Sequence, residues 1–332
     1  MPGALMAEEI AEQPDVLDRL LLLGSTAAAE VRRAIDRYRP RFVLLAARGT
    51  SDHAALYAKY LAEIHLQLPA GLASPSSFTV YGARPDMRGV LFLAASQSGG
   101  SPDLLEATEV ARSCGALTVA VTNNPDSALA SAAAHHVDVH AGVERAVAAT
   151  KTYTAELLAL YLLLAGADAA GLPGAAARTL AHAGAAHDAA HRLANVDRLV
   201  VTARGYSYPT AREGALKLME TSYLAAQAFS GADLLHGPLA MLGPDVPVIA
   251  ITSPGRSAAA LAPVLERLTD ADVPLLRVGP RDGLPVETDG LPEALTPILE
   301  ILPLQQLAWR LAIDRGGDPD APRLLSKVTE TW

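Results

Sequence analysis

Two apolar runs, one in each half of this chain, end in nearly the same words. Phe42 to Ala47 leads into Arg48-Gly49-Thr50-Ser51, and Leu199 to Ala203 leads into Arg204-Gly205-Tyr206-Ser207. An Ala-rich helical segment follows each turn, His53 to His65 and Thr210 to Ala226. A second apolar run then appears in each half, Val90 to Ala95 and Pro247 to Thr252, and a third, Leu117 to Thr122 and Pro274 to Val278. The order is β-α-β-α-β, twice. Repeated βαβ units with short connections predict α/β domains, each a parallel sheet with helices on both faces. The expected division is a helical segment over 1–24, a first domain over 25–168 and a second over 190–332. Between them, Gly171 to Ala189 reads as helix plus linker.

Ligands in such folds gather at the carboxyl ends of the strands. There the sequence carries Ser96-Gln97-Ser98-Gly99-Gly100-Ser101, directly after the run that starts at Val90. Pro102 and Asp103 then suit the first turn of a helix. A turn rich in hydroxyls and free backbone N–H groups at a positive helix end is a phosphate cradle. No Gly-Lys-Ser/Thr follows, and no Gly-x-Gly-x-x-Gly is present, so triphosphate and dinucleotide loops are excluded. The pattern fits one terminal phosphate.

Composition narrows the function classes. A formal net charge of −9 argues against nucleic acid as a partner. The single cysteine, Cys114, excludes an intrachain disulfide and a Cys-rich zinc site. The acidic start, with Glu8, Glu9 and Glu12, lacks the basic region of a signal peptide, and the longest apolar run, Leu157 to Ala167, is too short to span a bilayer. A cytoplasmic enzyme with no membrane association is expected. His135, His136, His140, His182 and His187 show no metal-ligand spacing, so no metal and no cofactor are expected.

Glu213, Lys217 and Glu220 fall at i, i+4 and i+7 and share one helical face. That spacing fits either an exposed salt-bridge face or a carboxylate–ammonium–carboxylate set for moving a carbon-bound proton.

Six words in order carry a family resemblance: Ala47-Arg48-Gly49-Thr50-Ser51, Ser96-Gln97-Ser98-Gly99, Val147-Ala148-Ala149-Thr150-Lys151, Glu213-Gly214-Ala215-Leu216-Lys217, His236-Gly237-Pro238-Leu239 and Leu325-Ser326-Lys327-Val328-Thr329. The chain resembles the double sugar-isomerase (SIS) proteins. It is similar to the isomerase half of glucosamine-6-phosphate synthase and to stand-alone SIS-type glucosamine-6-phosphate deaminases. The resemblance implies two tandem SIS domains, each a flavodoxin-like three-layer sandwich.

It also implies roles. Ser96, Gln97, Ser98 and Ser101 would bind a sugar 6-phosphate, helped by Thr50 and Ser51. Val147, Ala148 and Glu213 would contact the sugar. Glu220 would be the base between C1 and C2, and Lys217 would hold substrate or tune charge. His236 would open the sugar ring, reaching the site from a neighbouring subunit, which implies a homodimer with a shared active site. Lys327 would form a Schiff base at C2. The chain departs from the synthases in several places. Gly100 replaces an acidic residue, Ser101 a threonine and Leu235 a lysine, and no serine follows Lys327. Ser-Gln-Ser-Gly-x-Ser-Pro-Asp is closer to the deaminases.

Synthases draw ammonia from glutamine through an N-terminal domain with an N-terminal cysteine. This chain begins Met1-Pro2-Gly3, and Cys114 lies inside the first domain. Glutamine hydrolysis is therefore not expected. The expected reaction is glucosamine 6-phosphate to fructose 6-phosphate plus ammonia. Two alternatives stay open: a dehydratase or lyase acting on an N-acylated amino-sugar phosphate such as N-acetylglucosamine 6-phosphate, and a non-catalytic sugar-phosphate sensor.

Overall fold

A computed structural model describes residues 2–279, 281–288 and 290–327. The chain forms two compact units. The first comprises 15–144 and 151–170, with Ser326 and Lys327. The second comprises 2–14, 145–150 and 171–325.

The first unit is built on β1 (Phe42–Ala46), β2 (Ala70–Leu72), β3 (Val90–Ser96), β4 (Leu117–Thr122) and β5 (His135–Asp138). Their order in the sheet is β2-β1-β3-β4-β5, and every pair is parallel. Leu44 lies beside Phe92, and Phe92 beside Thr118. The central strand β3 is buried along almost its whole length, as expected for a parallel strand covered on both faces. Phe92, Ala94, Leu104, Ala107 and Leu129 form a core between this sheet and the helix Pro102–Ser113. Burying a side chain such as Phe92 contributes roughly 2 kcal/mol.

The second unit is built on β6 (Arg198–Ala203), β7 (Ala225–Ser230), β8 (Val248–Ile251), β9 (Leu275–Gly279) and β10 (Leu284–Pro285). The order β10-β9-β8-β6-β7 is the same arrangement read from the opposite edge, again all parallel. Val200, Val248, Leu261, Val264 and Leu268 pack the helix Arg256–Asp270 onto it.

Each sheet thus has five strands, where the apolar runs predict three. The additional strands lie at the edges: β2, β5, β7 and β10 are short or half-exposed and carry no long apolar run. The segment 171–189, expected as helix plus linker, is helical over most of its length, in the helices Leu172–Leu180 and Ala183–Leu193. Residues 1–24 do not behave as one segment either. The helix Ala4–Ala11 belongs to the second unit, where the Asp320 carboxylate accepts from the backbone N–H groups of Leu5 and Met6, each at 2.9 Å. A carboxylate at a helix N-terminus satisfies orphan donors and complements the dipole. Among the described residues no helix is long and apolar enough to cross a membrane.

Candidate active site

The strand order of the first unit places a topological switch between β1 and β3, the position at which ligands bind in such sheets. Both hydroxyl-rich turns leave from these strands. Arg48, Gly49 and Thr50 open the helix Gly49–Leu61 after β1, and Ser96 to Ser101 join β3 to the helix Pro102–Ser113. Gly99 has φ +63°, and a Cβ there would lie 2.3 Å from Ser127 Oγ, so the tight turn requires glycine.

Inside the turn, Ser96 Oγ accepts from Gly99 N at 3.1 Å and Ser98 Oγ from Gly100 N at 3.3 Å. Hydroxyls whose lone pairs are used in this way keep an O–H to donate outward. Ser101 is the residue before its helix, and its hydroxyl makes no capping bond. Gln97 and Ser98 are half-buried. Hydroxyls and an amide in such a turn are chemically able to donate to an anion. Ser51 differs from the others. It is buried, and its hydroxyl donates to Glu156 Oε1 at 2.9 Å. Its proton is therefore committed inside the unit, which makes Ser51 a support of the turn.

The second unit repeats this support. Ser207 Oγ donates to Glu300 Oε1 at 3.0 Å, from the turn that matches Arg48 to Ser51. Glu300 is fully buried, and burial, with a smaller push from the Glu293 carboxylate, raises its pKa to about 7 against the hydrogen bond from Ser207.

The proton-transfer candidates lie on the helix Tyr208–Ser222 of the second unit. Lys217 Nζ is 3.2 Å from Glu213 Oε1 and 2.5 Å from Glu220 Oε2. Lys217 and Glu213 are 0% exposed, whereas the Glu220 side chain is 21% exposed. The face is therefore interior, and the exposed salt-bridge alternative is overturned. Burial opposes the charge on Lys217, but the Glu213 and Glu220 carboxylates outweigh it and hold the ammonium well above the ordinary lysine range. Lys217 presents a fixed positive charge to Glu220, the one member of the set that reaches solvent.

Val147 and Ala148 fall in the second unit, in the segment 145–150. Glu9, fully buried, accepts from the backbone N–H groups of Arg145 at 2.5 Å and Ala146 at 3.2 Å and fixes this segment. Ala148 packs with Met6, Ile10 and Ala146, so only its backbone remains for a polar contact. His236 follows the helix Gly231–Leu235 and is exposed; among the described residues its ring makes no hydrogen bond. Lys327 belongs to the first unit, with Nζ 2.8 Å from Glu144 Oε2.

Sequence reasoning missed Glu144, Glu156, Glu300 and the partner of Arg48. A signal existed for two of them: Glu156 and Glu300 are single charges inside otherwise apolar helical runs, and such residues are rarely buried unless paired. Arg48 donates to Asp103 from Nε at 2.8 Å and Nη2 at 2.6 Å.

The SIS domain family matches residues 38–166 and 192–276. A glutamine–fructose-6-phosphate aminotransferase (isomerizing) from Gloeobacter violaceus is 33% identical over 97% of this chain and 58% of its own length. The chain thus spans less than two thirds of that relative. A candidate phosphosugar isomerase from Silicibacter pomeroyi superposes with a TM-score of 0.86 at 33% identity, covering 96% of this chain and 100% of that one. The C-terminal domain of glucosamine-fructose-6-phosphate aminotransferase from Francisella tularensis gives 0.85 at 25% identity, covering 96% and 98%. With both sheets, both turn words and these matches in agreement, the chain belongs to the SIS domain family.

Proposed function

We propose that this protein is a phosphosugar aldose–ketose isomerase that deaminates its substrate, converting glucosamine 6-phosphate to fructose 6-phosphate and ammonia. The observation that carries this reading is Glu220, a solvent-reaching carboxylate gripped by a fully buried lysine ammonium. A carboxylate so placed can move a proton between adjacent carbons, while the ammonium stabilises developing enediol-like charge. The hydroxyl donors of Ser96, Ser98 and Ser101 support a single phosphate as the substrate's handle. The relatives support a fructose 6-phosphate skeleton and an amino group. The turn Ser96 to Asp103 supports deamination through its likeness to the deaminases.

The proposed course begins with ring opening, for which His236 moves a proton from O1 to O5. Its exposure and its lack of a hydrogen-bond partner among the described residues support service to a neighbouring subunit, and hence a homodimer. Glu220 then takes the C2 proton and returns it to C1. O1 gains a proton and the amine loses one, leaving an imine at C2. The unprotonated amine of Lys327 adds to C2 and expels ammonia, forming a lysine imine. Water adds in turn and releases the C2 ketone and the lysine amine.

Purified protein with glucosamine 6-phosphate tests the reading, with ammonia and fructose 6-phosphate assayed together. Equal release of both, lost in Glu220→Gln, supports it. Loss of water from an N-acylated substrate, with no ammonia from the free amine, would replace it with elimination chemistry.

A further inference from the structure

Glu144 has no part in the course above, yet its carboxylate holds the nitrogen of Lys327, a proposed reacting atom. It lies between β5 and the helix Lys151–Leu164, and its side chain is 0% exposed. Oε1 accepts the backbone N–H of Thr152 at 3.1 Å, in the first turn of that helix, where N–H groups lack intrahelical partners. Oε2 accepts from the Thr152 hydroxyl and also from Lys327 Nζ at 2.8 Å. The carboxylate is therefore oriented by a helix terminus before the lysine arrives.

Lys327 is its opposite in character. It lies 183 residues away in sequence, on a segment without helix or strand, and its side chain is 23% exposed. A lysine side chain loses on the order of 2 kcal/mol of rotamer entropy when fixed. A mobile amine must pay that ordering during the reaction, and an amine already held does not.

We propose that Glu144 is a positioning residue that docks the tail amine of Lys327 on a rigid, buried carboxylate and holds it where it meets the C2 carbon of the sugar phosphate. The inference rests on the reading of Lys327 as the imine-forming lysine. In this role Glu144 acts through Lys327 and needs no contact with substrate. Its loss therefore lowers turnover while leaving phosphate recognition, which depends on the Ser96 to Ser101 turn, in place.

The chain suits a direct test because it contains only four lysines, Lys59, Lys151, Lys217 and Lys327. Full-length protein is mixed with fructose 6-phosphate and borohydride, which reduces a lysine imine to a stable secondary amine, and the modified peptide is read by mass spectrometry. Wild type is expected to carry the adduct on Lys327. Glu144→Gln is expected to lose at least about 10-fold of it and to drop kcat by about 100-fold with KM changed little, a misplacement effect. Glu144→Asp is expected to recover part of both. Equal adduct in wild type and Glu144→Gln overturns the proposal.

If wild type yields no adduct, the imine reading fails by itself. The docking is then decided by the NMR signals of the four lysines after ¹³C reductive methylation. A Lys327 signal that moves to the free-lysine position in Glu144→Gln upholds it, and an unmoved signal overturns it. Should Glu144→Gln not fold, Thr152→Val loosens the same carboxylate, and a Lys327 signal and adduct yield identical to wild type overturn the proposal.

Discussion

Arg48 and Asp103 tie together the two turns at the switch point of the first sheet. Asp103 is 3% exposed and receives both guanidinium contacts as well as the N–H of Leu104 at 2.9 Å. The turn after β1 and the helix after β3 therefore cannot shift independently. Hydrogen bonds to charged groups contribute about 1.5–3 kcal/mol each, and the 44% exposure of Arg48 places this pair at the low end. Asp103→Ala is expected to cost about 2 kcal/mol in urea denaturation and to raise KM for the sugar phosphate about 10-fold, because the Ser96 to Ser101 donors lose their common frame. An unchanged KM would separate the pair from phosphate recognition.

Lys217 carries a second prediction. Removing one partner of a buried ion pair costs about 3–5 kcal/mol, because the remaining charge stays buried. Lys217→Met is expected to destabilise by this amount, leaving Glu213 buried without its cation. The double change Glu213→Gln with Lys217→Met should recover part of the stability while activity stays lost. Thermal unfolding of wild type and the two variants checks this, and a double variant no more stable than Lys217→Met would contradict it.

Glu300 makes stability depend on pH near neutrality. Its folded pKa, raised to about 7, exceeds the unfolded value near 4.5, so the folded state holds the proton more tightly. The contribution is fully present below about pH 4.5 and is lost as pH rises through 7. The shift corresponds to roughly 3 kcal/mol. Glu300→Gln keeps a group for Ser207 to donate to and removes the titration. Its advantage over wild type is expected to grow between pH 5 and 8, read as the difference in Tm. A constant difference over that range would contradict the assignment.

Glu293 titrates in the opposite sense. Partial burial raises its pKa, but Ser257, donating from N at 2.7 Å and Oγ at 2.5 Å, together with the Arg256 N–H and charge, pulls it below the usual carboxylate range. Its stabilisation is present above the unfolded value near 4.5 and disappears as pH falls through the lower folded value. Discounted for solvent screening, Glu293→Gln is expected to cost about 1 kcal/mol at pH 7. The cost should vanish near pH 3, measured by denaturant unfolding.

Much of this architecture is legible in the residues themselves. Val90 to Ser96 and Leu117 to Thr122 are apolar, β-branched or small throughout and end in turn residues, so central parallel strands announce themselves. The edge strands do not. His135–Asp138 reads as polar and its histidines show no metal-ligand spacing, whereas His136 Nε2 lies 2.8 Å from Thr122 Oγ1 on the neighbouring strand. Pairing with β4 makes this segment a strand, and pairing is a non-local fact.

The site divides in the same way. Helical spacing puts Glu213, Lys217 and Glu220 on one face, but the same spacing serves an exposed face or an interior one, and only packing decides between them. The cradle serines are visible as a word, but the donation of Ser51 to Glu156 spans 105 positions, and that of Lys327 to Glu144 spans 183. No local pattern contains either. The reach of the helix Ala4–Ala11 to Asp320 is likewise hidden from periodicity.

The central claim is that Glu220 carries one proton between C2 and C1. Glucosamine 6-phosphate deuterated at C2, converted in ordinary water, tests it most directly. A detectable share of the deuterium at C1 of the fructose 6-phosphate formed by wild type, with product formation reduced at least about 100-fold in Glu220→Gln, is the predicted result. Unimpaired conversion by Glu220→Gln with the same deuterium transfer would contradict the account.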